Sequence, residues 1–187
     1  MEPGFWMPTL ETERLTIRAY ALDDLPNVTQ FDELERRREW LAWTVANYRQ
    51  LALLWQPPYG DRAIVLSATG EIVGGIGYVQ SWGPFHVLPS LHRGGTDLHS
   101  AVNSPELGLF WAVAPAHQNK GYTTEAGQAL VADAFGRLNA RRLVATTEHD
   151  NFASQAVMRK LGMTIAMNPF PEPNWFQTIG VLHNSKG

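Results

Sequence analysis

The 187-residue chain contains no cysteine. That absence excludes a disulfide framework, a thiolate nucleophile and cysteine-built metal sites. Any covalent intermediate on a cysteine is likewise excluded. No apolar run approaches the roughly 20 residues that cross a bilayer as a helix. Residues 1–15, MEPGFWMPTLETERL, lack the basic start and apolar stretch of a secretory signal. A cytoplasmic location and no membrane partner are the resulting expectations. Positive charge is not in excess either: the formal net charge is -3. Without a basic stripe, nucleic acid is not the expected partner. Internal repeats and low-complexity tracts are also missing.

What is present is the make-up of a folded domain. Hydrophobic residues are 44% of the chain and charged residues 18%, and seven Trp, eight Phe and five Tyr set it apart from disordered sequences. The length suits one domain over residues 1–187, with one core. Leu15, Ile17 and Ala19 alternate with Thr16 and Arg18, which predicts a half-buried strand. Asp23 and Asp24 read as the cap of a short helix. Leu34, Leu41, Val45, Tyr48, Ala52 and Trp55 fall on one face of a helix over about 33–55, with the charged run 35–39 on its wet side. Residues 62–68 and 72–80 read as a hairpin around Thr69-Gly70-Glu71. Residues 81–105, rich in Gly, Pro, His and Ser, read as a long loop.

The second half alternates. A strand is expected over 106–113, a turn over 115–120 and a helix over 121–138 whose apolar face carries Leu130, Val131, Ala134, Phe135 and Leu138. A strand follows over 142–148 and a helix over about 151–161, stopped by Gly162. Strands over 163–167 and 175–182 close the chain. This pattern is α/β with a mixed sheet.

The chemistry centres on Gln118-Asn119-Lys120-Gly121-Tyr122-Thr123-Thr124, between an apolar strand and a helix. A helix start leaves backbone N–H groups without partners, and with the positive end of the helix dipole they make an anion site. Gly121 lets the backbone come close to a phosphate, and Lys120 adds charge. The spacing is neither a Walker A loop nor a GxGxxG fingerprint. An ordinary strand–turn–helix corner would have the same elements.

This segment resembles the Gln/Arg-x-x-Gly-x-Gly/Ala signature of the GCN5-related N-acetyltransferase (GNAT) superfamily. The order strand, QNKGYT turn, helix, strand and NFASQAVMRKLGM also matches. Gly121-Tyr122-Thr123-Thr124-Glu125-Ala126, with Asn151, Ser154, Val157, Leu161 and Gly162, is similar to the ribosomal-protein alanine acetyltransferase-like branch, as is the opening LETERLTIRAY. The match spans most of the chain outside 81–105. The one departure is Thr123, where Gly or Ala is usual; its β-branched side chain crowds the phosphate or caps the helix.

The resemblance implies a single GNAT-like α/β domain: a mixed, mostly antiparallel central sheet, flanked by helices and splayed at the acyl-CoA site. It implies acetyl-CoA as donor, with pantetheine pairing to the backbone of Trp111, Ala112 and Val113, and the diphosphate at 118–124. Asn151 would hold the pantetheine arm. The proton for the leaving thiolate would come from the position of Ser154 or Met158, of which only Ser154 has one to give. The Val113 N–H would stabilise the oxyanion. Asn151 or Asp150 as a plain helix cap, and Ser154 as a first-turn residue, are the structural alternatives.

The acceptor must be a neutral amine. A lysine amine is about 99.9% protonated at pH 7, and an α-amine about 90%. Glu106, at the head of the core strand, is the best-placed carboxylate for a general base or else a structural strand-edge residue, since the branch carries Glu at the position of Gly108, two residues on. Glu125 reads as a first-turn carboxylate. His86, His92 and His99 match no metal-pair spacing, so no metal is expected, and a loop His is the other candidate base. Trp82, Phe85, Leu88 and Leu91 would anchor 81–105 as a lid over the acceptor side, or as a dimer contact. Trp175 and Phe176 would be core or pocket wall. The expected function is N-acetyl transfer to a small amine or a protein N-terminus by a monomer or homodimer. A non-catalytic acyl-CoA-binding module is the alternative.

Overall fold

The computed structural model describes residues 7–28, 33–88, 90–91 and 102–185. Its strands are β1 (Leu10–Glu11), β2 (Leu15–Ala19), β3 (Gly60–Leu66), β4 (Ile72–Gly83), β5 (Ser104–Val113), β6 (Arg142–Thr147), β7 (Thr164–Met167) and β8 (Thr178–His183). Helices are α1 (Leu25–Val28), α2 (Leu34–Leu53), α3 (Tyr122–Gly136) and α4 (Phe152–Lys160). The strands form one sheet in the order β1-β2-β3-β4-β5-β6-β8-β7. Its recorded strand ladders are antiparallel except β5 against β6, which pair in parallel at Gly108↔Val144. The α/β class and the mixed, mostly antiparallel sheet flanked by helices stand as expected.

The chain forms two compact units, and β4 and β5 pass from one to the other. The first comprises residues 1–78 and 110–138. Its core under α2 gathers Tyr20, Val28, Leu41, Ala63, Val65 and Ile72. Leu41 and Ala52 are buried on the predicted face of α2, but Leu34 and Trp55 at its ends are exposed, Trp55 at 65%. The physical reason is the stop: Trp55 turns left-handed (φ 54°) ahead of Pro57-Pro58, so it leaves the helical stripe. Asp24 is not the N-cap residue, which is Ala21, but closes that first turn from its third position. It accepts two hydrogen bonds from Arg18, at 2.7 and 2.8 Å, and one from the Ala21 N–H.

The same unit buries a cation. Arg62 on β3 is 0% exposed. Its guanidinium lies 4.8 Å from the Tyr78 ring centroid and 3.8 Å from Asp133 of α3. Asp133 also accepts from Arg137 at 2.6 and 2.9 Å, and the Tyr78 hydroxyl is 3.0 Å away. Burial pushes the Arg62 proton affinity down, against the pull of Tyr78 and Asp133.

The second unit comprises residues 79–109 and 139–187. Phe85, Val87, Leu88, Val144, Phe176, Ile179 and Val181 form its core. Residues 81–105 are therefore not one loop: β4 runs to Gly83, Phe85–Val87 is a 3-10 turn, and Phe85 and Leu88 are core. Trp82 is exposed. Residue 89 and residues 92–101, with His92 and His99, lie outside the described residues. Phe176 is buried, but it precedes the last strand, which begins at Thr178.

Asp133→Ala leaves the Arg62 charge buried without its counter-ion, so stability should fall by about 3–5 kcal/mol. Urea unfolding checks this. Adding Arg62→Met to that variant should recover most of the loss.

Candidate active site

In the first unit, β5 ends at Val113 and a short 3-10 turn, Pro115–His117, leads into the expected anion turn. Close packing places this strand end. A Cβ at Gly74 on β4 would collide with the Ala112 carbonyl oxygen and stand 3.0 Å from Val113 Cα. The Ala114 N–H donates to the Val73 carbonyl at 2.9 Å. Gln118 then folds back, its side-chain amide donating to the Val113 carbonyl at 3.2 Å.

Two residues of the turn are left-handed, Asn119 (φ 60°) and Gly121 (φ 82°). Asn is the non-glycine type that best tolerates this conformation, and Gly adopts it without strain. Gly121 is the N-cap of α3, with no side-chain cap, and the first helical bond runs from the Glu125 N–H to the Gly121 carbonyl at 3.0 Å. The N–H groups of Tyr122, Thr123 and Thr124 therefore have no acceptor inside the helix. Successive N–H groups in such a turn form a concave anion site. Residues 118–121 are exposed, so that site is open to solvent.

Sequence reading missed what holds the turn. Arg14, at the start of the β2 segment, donates through Nη1 to the Lys120 carbonyl at 3.1 Å and lies 4.8 Å from the Tyr122 ring centroid. Its Nε donates to Glu125 at 2.7 Å, its N–H at 2.9 Å, and the Thr12 hydroxyl adds a bond of 2.6 Å. Burial pushes the Glu125 carboxyl up, but these donors outweigh it and hold it below the ordinary carboxylate range. Glu125 is thus a clamp across more than a hundred residues, which no local pattern reports. Asp61, likewise unremarkable in sequence, is raised by burial against the influence of Arg37 and the Trp40 indole.

In the second unit, Asn151 caps α4: its Oδ1 accepts the Ser154 N–H at 3.1 Å. Ser154 is half-buried, and its hydroxyl makes no hydrogen bond among the described residues. Met158 is fully buried. The preceding loop is braced by Gln155 donating to the His149 carbonyl at 2.8 Å.

Glu106 carries a full partner. Both its oxygens accept from Arg142, at 2.7 Å from Nε and through a second bond from Nη2. Those hydrogen bonds raise the Arg142 proton affinity. Gly108 has a steric explanation. A Cβ there would collide with Ser81 Oγ and stand 2.8 Å from Val79 Cγ2, so a larger residue needs both side chains to move.

A family model described as the acetyltransferase (GNAT) domain matches residues 14–164. The uncharacterized N-acetyltransferase YnaD of Bacillus subtilis is 43% identical over 53 residues, 28% of this chain and about a third (31%) of YnaD. YoaA of the same organism, also an uncharacterized N-acetyltransferase, is 28% identical over 165 residues, covering 83% and 82%. Among solved structures, an acetyltransferase from Agrobacterium tumefaciens superimposes with TM-score 0.66 at 27% identity, covering 96% of each chain. A ribosomal-protein-S5-alanine acetyltransferase from Vibrio fischeri gives 0.64 at 15%, covering 96% and 98%. The ribosomal L7/L12 acetyltransferase RimL in complex with coenzyme A gives 0.63 at 14%, covering 96% and 100%.

The Glu125 clamp makes a prediction with a sign. Its folded proton affinity is depressed, so its stabilisation is present above the unfolded-state value near 4.3 and lost as pH falls through the folded value. Glu125→Gln should cost about 1 kcal/mol at pH 7. The gap to the parent protein should close on acidification toward pH 3, as read by thermal or urea unfolding.

Proposed function

The chain belongs to the GNAT acetyltransferase family, and from that premise we propose that it transfers an acetyl group from acetyl-CoA directly to a primary amine of a small molecule or a protein N-terminus. The observation that carries the donor half is the turn 118–121 opening α3: two left-handed residues followed by three N–H groups with no helical acceptor. That donor set fits a diphosphate, and Gly121 leaves room for it where a side chain would intrude. Bound there, acetyl-CoA supplies the activated thioester.

The chain's own residues do the rest in this reading. Gln118, Asn119, Lys120, Gly121, Tyr122, Thr123 and Thr124 hold the diphosphate through backbone N–H groups, with Lys120 adding charge. Trp111, Ala112 and Val113 pair by backbone with the pantetheine arm, and the Val113 N–H donates to the thioester carbonyl oxygen. Asn151 serves twice, as cap of α4 and as partner of the pantetheine arm. Ser154 gives its proton to the leaving thiolate; its unengaged hydroxyl supports that assignment. This reading assigns Glu106 no proton abstraction, since Arg142 already donates to both its oxygens. An α-amine is about a tenth neutral at pH 7 and enters without a strong base.

The same two observations at Glu106 and Gly108 favour the second reading, a non-catalytic acyl-CoA-binding module. One thiol-release assay with acetyl-CoA, run against small amines and N-terminal peptides, separates the two. Transfer predicts enzyme-dependent thiol release with at least one amine; the binding module predicts none. In the same series Gly121→Val should weaken acetyl-CoA binding at least a hundredfold by calorimetry. Ser154→Ala should lower turnover at least tenfold with affinity nearly unchanged. Unchanged affinity in a folded Gly121→Val protein would remove the donor site from this turn.

A further inference from the structure

The second unit contains a cavity of about 330 Å³ that the acetyl-transfer reading does not use. Its size is at the small end of pockets that take compact organic ligands. Phe85, Leu91, Val102 and Pro105 give it apolar walls, and Glu106 and Arg142 also line it. The parallel register of β5 and β6, with Gly108 beside Val144, sets Glu106 beside Arg142 two positions earlier. The pair is largely withdrawn from water, at 9% and 19% side-chain exposure.

The bonding of the pair is specific. Arg142 uses Nε and Nη2 on Glu106. Nη1 has no hydrogen-bond partner among the described residues, yet it is not cut off from solvent. Each Glu106 oxygen accepts one hydrogen bond from Arg142 and retains capacity for another. Arg142 and Glu106 thus offer unspent N–H donors beside unspent acceptors, and their charges cancel. Among the described residues, His86 is the other ionisable side chain on the wall.

An ion entering such a pocket gains little. Attraction to one member of the pair is offset by repulsion from the other, while the cost of leaving water remains. A neutral group that carries an acceptor and a donor side by side meets both members and loses much less hydration. We propose that this cavity binds a small carboxamide on an apolar body, its C=O accepting from an unspent N–H of Arg142 and its N–H donating to Glu106. The Glu106–Arg142 pair excludes carboxylates and ammonium groups of the same shape.

Three probes that differ only in the head group test this on the full-length protein without acetyl-CoA: 3-phenylpropanamide, 3-phenylpropanoate and 3-phenylpropylamine. Calorimetry should find the amide bound at least tenfold tighter than either ion. Glu106→Gln keeps the shape but frees the Arg142 charge, and should make the carboxylate the tightest of the three. Ser104→Phe fills the cavity with the pair intact, and should abolish amide binding in a protein that melts normally. Equal affinities for the three probes, or amide binding that survives Ser104→Phe, overturns the proposal. These binding arms need no turnover, so they stand apart from the acetyl-transfer reading. With turnover, an amide that raises the amine KM belongs to the acceptor's own chemistry, and one that changes kcat alone comes from a separate ligand. Either pattern upholds the site.

Discussion

Three N–H groups at the start of α3 have no acceptor inside the helix, and among the described residues no N-cap side chain caps them. A helix usually meets that deficit with a Ser, Thr, Asp or Asn at the N-cap. Here the N-cap is Gly121 in the left-handed region, with Asn119 left-handed two residues earlier. The N–H groups of Tyr122, Thr123 and Thr124 are left for an outside acceptor, and the helix dipole makes that acceptor an anion. The diphosphate reading follows from this deficit. Thr123, the departure from the family signature, matters less than its side chain suggests, because the donors are backbone atoms.

The rest of the first unit holds this turn in place. Gly74 admits the Ala112 carbonyl and Val113 where a side chain would not fit, so the end of β5 lies tight against β4. Arg14 ties the Lys120 carbonyl to Glu125, and Thr12 adds a bond to the same carboxylate. Deeper down, Asp133 joins Arg137, Tyr78 and the buried Arg62, linking α3 to β3 and β4. The turn thus rests on ion pairs between residues far apart in sequence.

That distance explains what the sequence revealed and what it did not. Periodicity located every major element within a few residues, because α2, α3 and the strands carry their apolar faces locally. The left-handed turn before α3 was legible because Gly121 and the helix start are adjacent. The Asn151 cap was legible for the same reason. Arg14–Glu125, Arg62–Asp133 and Glu106–Arg142 were not legible, since each joins residues at least 36 positions apart. Glu106 shows the cost: read alone it is a strand-head carboxylate, and only the fold reveals that Arg142 pairs with it. Gly108 could not be explained until Ser81 and Val79 were seen to fill its space. The stretch 81–105 was misread as one loop because its Gly, Pro and Ser content masked Phe85 and Leu88, which are core.

The central claim is that the backbone of the α3 start receives the acyl donor's diphosphate. Amide hydrogen exchange at Tyr122, Thr123 and Thr124, with and without saturating coenzyme A, tests it most directly. The account predicts strong protection of these three amides on binding, larger than at the far end of α3. Coenzyme A that binds by calorimetry while those amides exchange at their unliganded rates would contradict it.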